Sequence, residues 1–292
     1  MGKGMSIQLA EKGWDVQAFD LNEEARNSVK EHGVQTYSTV QDLFANKEEE
    51  TKIVWIMVPY KYVDDVLVDV KPFLQEGDIV IDGGNSPYKN AIRRDKEVQE
   101  FGARFMDVGV SGGPEGARNG ACLMIGGPKP CFDKIEELFK DIAAPEAYQY
   151  LGKTGAGHYI KMVHNGIEYG MMQAIAEGFD LMAQSEFDPE LKDIARIYQQ
   201  QSVVTSRLVG WLAQGFDEYG TALTEVNGSV GALGEGLWTI EAAHADGMKL
   251  PAIEAAYDER IRSQEKPTYR GQLLQTMRQM FGGHVGVNKI QS

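Results

Sequence analysis

Hydrophobic and polar positions follow two different periods in the two halves of this chain. Six short apolar or alternating runs read as strands: Trp14–Phe19, Lys52–Val58, Asp78–Asp82, Arg104–Val108, Ala121–Ile125 and Ala147–Leu151. Amphipathic stretches lie between most of them, at Glu23–Glu31, Tyr62–Val70, Tyr88–Phe101 and Cys131–Asp141. A further helix opens the chain and runs through Leu9 and Ala10 to a turn at Gly13. Strands that alternate with helices predict a parallel sheet covered on both faces. After "LGKTGAGH" the pattern changes, and from His158 to Phe281 helical spacing continues with almost no β-rich run. The expectation is an α/β domain over residues 1–153 followed by an all-α domain over 154–292.

The strand ending on Asp20 changes what the first domain is expected to hold. An acid closing a strand about twenty residues after a glycine marks the second strand of a dinucleotide-binding βαβ unit, which makes the first domain Rossmann-type. Such an acid accepts hydrogen bonds from a ribose hydroxyl and repels a 2′-phosphate. Leu21 and Asn22 follow, with no adjacent arginine, so NAD is expected over NADP. Asp20 reads equally well as the N-cap of the next helix. The first residues also match the myristoylation pattern M-G-x-x-x-S, but no second anchoring signal or polybasic patch accompanies Gly2.

Composition narrows the classes. At 292 residues the chain has ample length for two cores, and a net charge of −14 argues against a nucleic-acid partner. Two cysteines, Cys122 and Cys131, suit a reducing cytoplasm and stand in no metal-ligand spacing, so no metal is expected. No apolar run reaches the ~18 residues of a membrane span.

Candidate chemistry sits at the strand ends, where open α/β sheets place ligands. "WIMVPY" puts Val58 and Pro59 at one such end, and "IVIDGGNSPY" brings Gly83, Gly84, Asn85 and Ser86 to the next. "MDVGVSGGPEGARNG" then centres on Ser111, Gly112 and Gly113. Glycines here mark tight turns or backbone brought close to a ligand, with Asn85 and Ser111 as its hydrogen-bonding partners. In "GAGHYIKMVHNGIEYGMMQ", Lys161, His164, Asn165 and Glu168 fall at i, i+3, i+4 and i+7 on one helical face. Ile160, Val163, Ile167 and Met171 take core spacing on a neighbouring face. A polar stripe is ordinarily a solvated surface. The alternative is a base and an acid facing a cleft, Lys161 and Glu168.

"HYIKMVHNGIEYGMMQ", "DVGVSGGPEGARNG" and "IDGGNS" resemble the motifs of decarboxylating 6-phosphogluconate dehydrogenases, and the length resembles their short, NAD-preferring branch. The resemblance runs from Gly2 to His284. It implies oxidation of the 3-hydroxyl of 6-phosphogluconate, loss of carbon dioxide and reprotonation to ribulose 5-phosphate, a step of the pentose phosphate pathway and of gluconate utilisation. Carried over by position, Lys161 is the general base and Glu168 the acid that protonates carbon 1. Asn85, Ser111, Gly112, Gly113, His164 and Asn165 hold the sugar acid, and Tyr169 and Thr239 contact its phosphate. Val58, Pro59 and Asn85 line the cofactor with Gly2 and Asp20. In "RQMFGGH", Arg278 and His284 complete the phosphate site from a partner subunit, which implies a homodimer or higher homo-oligomer.

Some positions depart from the family pattern. Leu237 stands where a lysine or arginine usually precedes Trp238, and Thr205 where the short branch favours arginine, with Arg207 nearby. In the family the first strand and turn read G-x-G-x-M-G, and Met1-Gly2 aligns with the final M-G. The resemblance therefore implies that the first strand and two glycines precede Met1, leaving Gly2 as the glycine of close helix–strand packing. Two other readings remain: a hydroxyisobutyrate-type β-hydroxyacid dehydrogenase, and a non-catalytic truncated relative.

Overall fold

A computed structural model describes residues 1–45, 51–232 and 234–282. The elements run α1 (Gly2–Glu11), β1 (Gln17–Phe19), α2 (Glu23–Lys30), β2 (Gln35–Tyr37), α3 (Val40–Phe44), β3 (Ile53–Ile56), α4 (Val63–Val70), β4 (Ile79–Asp82), α5 (Tyr88–Gln99), β5 (Arg104–Ser111), α6 (Gly113–Asn119), β6 (Ala121–Gly126), α7 (Lys129–Ile142) and β7 (Ala143–Gly152). Helices follow: α8 (Ala156–Ala183), α9 (Leu191–Tyr198), α10 (Arg207–Tyr219), α11 (Glu235–Ala245), α12 (Pro251–Glu265) and α13 (Tyr269–Gly282). The chain divides into two compact units, the first Met1–Lys161 and the second opening at Met162. The long helix α8 therefore begins in one unit and continues in the other.

In the first unit β1 and β2 pair in parallel as a ribbon of their own, and β3-β4-β5-β6-β7 form a separate five-stranded sheet in that order. The expectation of an all-parallel sheet fails at one place: β6 runs antiparallel to β5, with Val108 opposite Ile125. The cause is the connection. Only Gly112, the short α6 and Gly120 lie between the two strands, fewer residues than the dozen or so that a parallel crossover needs. The period-two pattern of the central strands then fills two cores. Ile79, Ile81, Met106 and Val108 point towards Phe132, Ile135 and Phe139 of α7 on one face. Val80 and Phe105 point to the other face, against Val63, Leu67, Ala91 and Val98 of α4 and α5. Burying each such side chain contributes roughly 1.5–3 kcal/mol, so the sheet that carries the loops is the stable part of this unit.

In the second unit Met172, Ala176 and Phe179 of α8 pack among Leu212 and Phe216 of α10 and Leu273, Leu274 and Met277 of α13. The apolar stripe read as core on α8 is exposed in this chain, at 39% for Ile160, 53% for Ile167 and 43% for Met171. The buried face is instead the one through His158, Met162, Tyr169, Met172 and Ala176. It is reached at the same 3.6 period but rotated, so that Lys161 is buried and His164, Asn165 and Glu168 are half-buried.

Candidate active site

The loops after β3 and β4 are tied together by backbone. A Cβ on Gly84 would stand 2.5 Å from the Val58 carbonyl oxygen, so this approach admits glycine alone. Asp82, the last residue of β4, is fully buried; its carboxylate accepts the Gly84 N–H at 2.9 Å and the Ser86 hydroxyl at 2.8 Å. Between those two anchors Asn85 takes the left-handed conformation, with φ 57°. At the end of β5, Ser111 is followed by Gly112, the N-cap of α6 with φ 120°, and Gly113 with φ 66°.

Strand β5 also seats the start of α8. The fully buried Asp107 accepts the Gly155 N–H on Oδ1 at 2.6 Å and the His158 N–H on Oδ2 at 2.7 Å, and so caps the helix with both oxygens. Burial pushes its carboxyl above the usual range, opposed by His158 and the two backbone donors. Two residues on, a Cβ on Gly109 would overlap the Lys161 side chain. Successive odd positions of a strand share a face, so Asp107, Gly109 and Ser111 present a helix cap, a lysine seat and a hydroxyl in line. His158 is 1% exposed, and both of its ring nitrogens lack a hydrogen-bond partner among the described residues.

In the second unit, His164 Nδ1 lies 3.0 Å from Asn165 Oδ1 and 3.9 Å from Glu168 Oε2. One residue further, Tyr169 is buried with the Arg260 guanidinium stacked 3.3 Å from its ring centroid. Arg260 is 3% exposed; it donates to Met172 Sδ at 3.4 Å, and its Nε has no partner among the described residues. Burial lowers it to about 10 and Arg278 adds to this, opposed by Tyr169, Glu168 and Glu235. Arg278, also buried, donates to Gln275 Oε1 at 3.0 Å and is lowered by the same cause. Neither guanidinium pairs with a carboxylate within ion-pair distance among the described residues. Two buried cations without a carboxylate partner fit an anion.

This arrangement revises the sequence reading. Arg260 is absent from it, because "DERIRS" on an amphipathic helix reads as solvated charge, and only the packing against Tyr169 reveals otherwise. Arg278 lies in the same unit as Tyr169, whose phenol opposes the effect of burial on it. Thr239 is buried, with its hydroxyl 2.8 Å from both the Met162 and Glu235 carbonyl oxygens. His284 lies outside the described residues.

At the ribbon, Asp20 is exposed at the tip of β1, and its Oδ1 accepts the Asn22 N–H at 2.8 Å. Asn22, not Asp20, caps α2, through Glu24 and Ala25. The Arg26 guanidinium donates to the Asp20 carbonyl at 2.6 Å and so stands at the same tip, a cation that sequence adjacency did not reveal. Gly2 begins α1, where a Cβ would come 3.2 Å from the Met57 side chain; Gly4 is the tighter position, 3.0 Å from the backbone of α6. Among the described residues no group of three or more His, Cys, Asp or Glu side chains is placed to hold a metal ion.

Residues 1–155 match the NAD binding domain of 6-phosphogluconate dehydrogenase, and residues 157–271 match its C-terminal domain. The chain belongs to the 6-phosphogluconate dehydrogenase family. Within that family it is 38% identical to the Bacillus subtilis protein YqeC over 99% of this chain and 97% of that one. It is 35% identical to the NAD(+)-dependent, decarboxylating 6-phosphogluconate dehydrogenase of Haloferax volcanii, over 97% and 94% of the two chains. The Plasmodium falciparum 6-phosphogluconate dehydrogenase, solved with NADP+ and with 6-phosphogluconate, superposes with a TM-score of 0.80 at 32% identity. That match covers 91% of this chain and 60% of the Plasmodium chain. A 3-hydroxyisobutyrate dehydrogenase of Mycobacterium tuberculosis shares the fold, with a TM-score of 0.72 at 20% identity.

Proposed function

We propose that this chain oxidises and decarboxylates 6-phosphogluconate to ribulose 5-phosphate and carbon dioxide with NAD as hydride acceptor. The observation that carries the reading is the pair of buried guanidiniums, Arg260 and Arg278, beside Tyr169. A phosphorylated sugar acid supplies the anion they lack, whereas a hydroxyisobutyrate-type substrate carries no phosphate. Lys161, seated against Gly109, takes the proton of the 3-hydroxyl as the hydride leaves carbon 3. Once the β-keto acid forms, the carboxylate–carbon bond breaks and its electron pair becomes an enediolate, whose oxygen is reprotonated by the Lys161 ammonium. Glu168, held near His164, gives a proton to carbon 1 as Lys161 takes back the proton of the enediol oxygen, which leaves the ketone of ribulose 5-phosphate. Asn85, Ser111, Gly112, Gly113, His164 and Asn165 hold the sugar acid.

The residues present fit a dinucleotide. Glycines at the strand ends put no side chain between the backbone and a ligand, and the Asp20 carboxylate is exposed at the tip of β1. Gly2, Asp20, Val58, Pro59 and Asn85 are the residues we assign to it, and when bound it supplies the hydride acceptor. Asp20 favours NAD over NADP by repelling a 2′-phosphate, and Arg26 at the same tip limits that preference. We further propose a homodimer in the cytoplasm: Ile160, Ile167 and Met171 leave an apolar stripe on α8, and both cysteines are free. Incubation with 6-phosphogluconate and NAD, with carbon dioxide trapped, tests the reaction. Equal amounts of reduced cofactor and carbon dioxide are expected; neither product, or reduction with 3-hydroxyisobutyrate in its place, overturns it.

A further inference from the structure

Arg94 reads in the sequence as half of a surface arginine pair on α5, yet its side chain is completely buried. Its Nη1 donates to Asp82 Oδ2 at 2.8 Å and to Ser86 Oγ at 2.9 Å. Its Nε donates to Asp64 Oδ1 at 2.8 Å, and its Nη2 to the Tyr60 carbonyl at 3.3 Å. One planar fork thus grips the end of β4 and the Asn85 loop with one edge, and the turn after Pro59 with the rest. These are the two strand-end loops assigned above to sugar acid and cofactor. Buried ion pairs add little net stability, because desolvation offsets their attraction; what they fix is one arrangement out of several. A guanidinium does this where an ammonium cannot, since its donors point in fixed divergent directions.

We propose that Arg94 is a positioning residue: it sets the spacing between the Val58–Tyr60 and Gly83–Ser86 loops and thereby holds Asn85 in its left-handed conformation for the substrate. The inference rests on the proposed dehydrogenase reading for its kinetic consequence but not for its structural one. The other arms of the network agree. Asp82 spends Oδ1 on the Gly84 N–H and Oδ2 on Ser86 and Arg94, so all three donors to this carboxylate come from the loop or from Arg94. Arg94 holds the half-exposed Asp64 carboxyl at about 2, the Arg94 hydrogen bond being the largest cause.

The test compares Arg94→Lys with Val98→Ala, which removes packing one turn along α5 from a fully buried position outside both loops. Amide hydrogen exchange is measured first, without ligands. The Gly84 N–H and the Tyr62 N–H of the 60–62 turn should exchange at least about tenfold faster in Arg94→Lys, and at the wild-type rate in Val98→Ala. In kinetics with 6-phosphogluconate and NAD, Arg94→Lys should lose roughly a hundredfold in kcat/KM, the scale of a 1 Å misplacement. Val98→Ala, assayed equally far below its own Tm, should lose less than twofold. With Arg93→Ala as the control for the Arg93 bonds to the same carboxylate, Asp64→Asn cuts the exposed arm and serves if Arg94→Lys fails to fold. It should raise KM for NAD about threefold, the worth of one half-exposed ion pair, and leave KM for the sugar acid unchanged. Equal exchange and equal kinetics in the arginine and valine variants, or wild-type constants in Asp64→Asn, overturn the positioning role. A wild-type chain that turns over neither substrate would overturn the dehydrogenase reading, with the exchange data still deciding Arg94.

Discussion

Replacing Arg260 by methionine should strengthen the free protein and weaken its grip on a phosphorylated substrate. The guanidinium is 3% exposed and is lowered by burial from 12.5 to about 10. At 1.36 kcal/mol per unit, that is a cost of about 3 kcal/mol for holding the charge without an anion. Methionine keeps much of the stem's volume and removes the charge. The lost cation–π contact with the buried Tyr169 costs about 2 kcal/mol, leaving a net gain of roughly 1 kcal/mol. In a protein of this size that raises Tm by about 2–4 °C. The sign of the pH dependence follows. The folded pKa lies below the unfolded one, so the wild-type penalty is complete at neutral pH and fades as pH rises through about 10 towards 12.5. The advantage of the variant should shrink over that same window. A phosphate that relieves the penalty gains the same 3 kcal/mol, so Arg260→Met should lower kcat/KM for 6-phosphogluconate by about 100-fold. Activity on unphosphorylated gluconate should stay unchanged. Calorimetry without ligand and initial rates on both sugar acids check this. A lower Tm together with an unchanged phosphate preference would refute the reasoning.

Lys161→Met should reduce kcat by about 10²–10⁴ while 6-phosphogluconate still binds, as equilibrium dialysis can show; near-normal turnover would remove Lys161 from the chemistry. Glu168→Gln should slow deuterium incorporation at carbon 1 from heavy water, and an unaltered rate would assign the proton to another group. Asp107→Asn offers one oxygen to two N–H donors and turns an amide group towards the other, so it should cost about 1–3 kcal/mol in denaturant titration. The folded Asp107 carboxyl is raised above 3.8, so wild-type stability should fall as pH climbs from about 3.8 through the higher folded value, and the variant should lack that slope. Asp20→Ala should weaken NAD and narrow its preference over NADP, read from the ratio of the two kcat/KM values; a fixed ratio would leave Asp20 as a turn residue only.

Local pattern made the central sheet legible, because Ile79–Asp82 and Phe105–Val108 are short unbroken buried runs bounded by turn residues. The ribbon strand β2 escaped notice because Gln35–Tyr37 is three residues long and mostly polar. The reversal of β6 is implicit in the few residues between Ser111 and Ala121, but length alone does not declare direction. Lys161, His164, Asn165 and Glu168 were legible as one helical face, since a 3.6 period is a property of sequence. What escaped is whatever depends on which face the fold buries. The apolar stripe of Ile160, Ile167 and Met171 was assigned to the core, and Arg94 and Arg260, both buried, drew no attention at all. A lone arginine in an amphipathic helix looks the same in either environment, and only its partners tell them apart.

Among the described residues the ribbon of β1 and β2 shares no ladder with the five-stranded sheet, and it has its own small core, Ile7, Val29 and Val34, with Ala10, Val16 and Ala18 packed against it. Three fully buried side chains make a weak cooperative unit, so this lobe opens at a lower free energy than the strands of the main sheet. Any dinucleotide that relies on Asp20 meets a binding-competent tip only in the fraction of molecules whose lobe is closed, and its apparent affinity falls by that fraction. Warming therefore lowers cofactor occupancy before it unfolds the protein. Heat inactivation of this chain should begin as a reversible rise in the KM for its cofactor, many degrees below the loss of its helical signal.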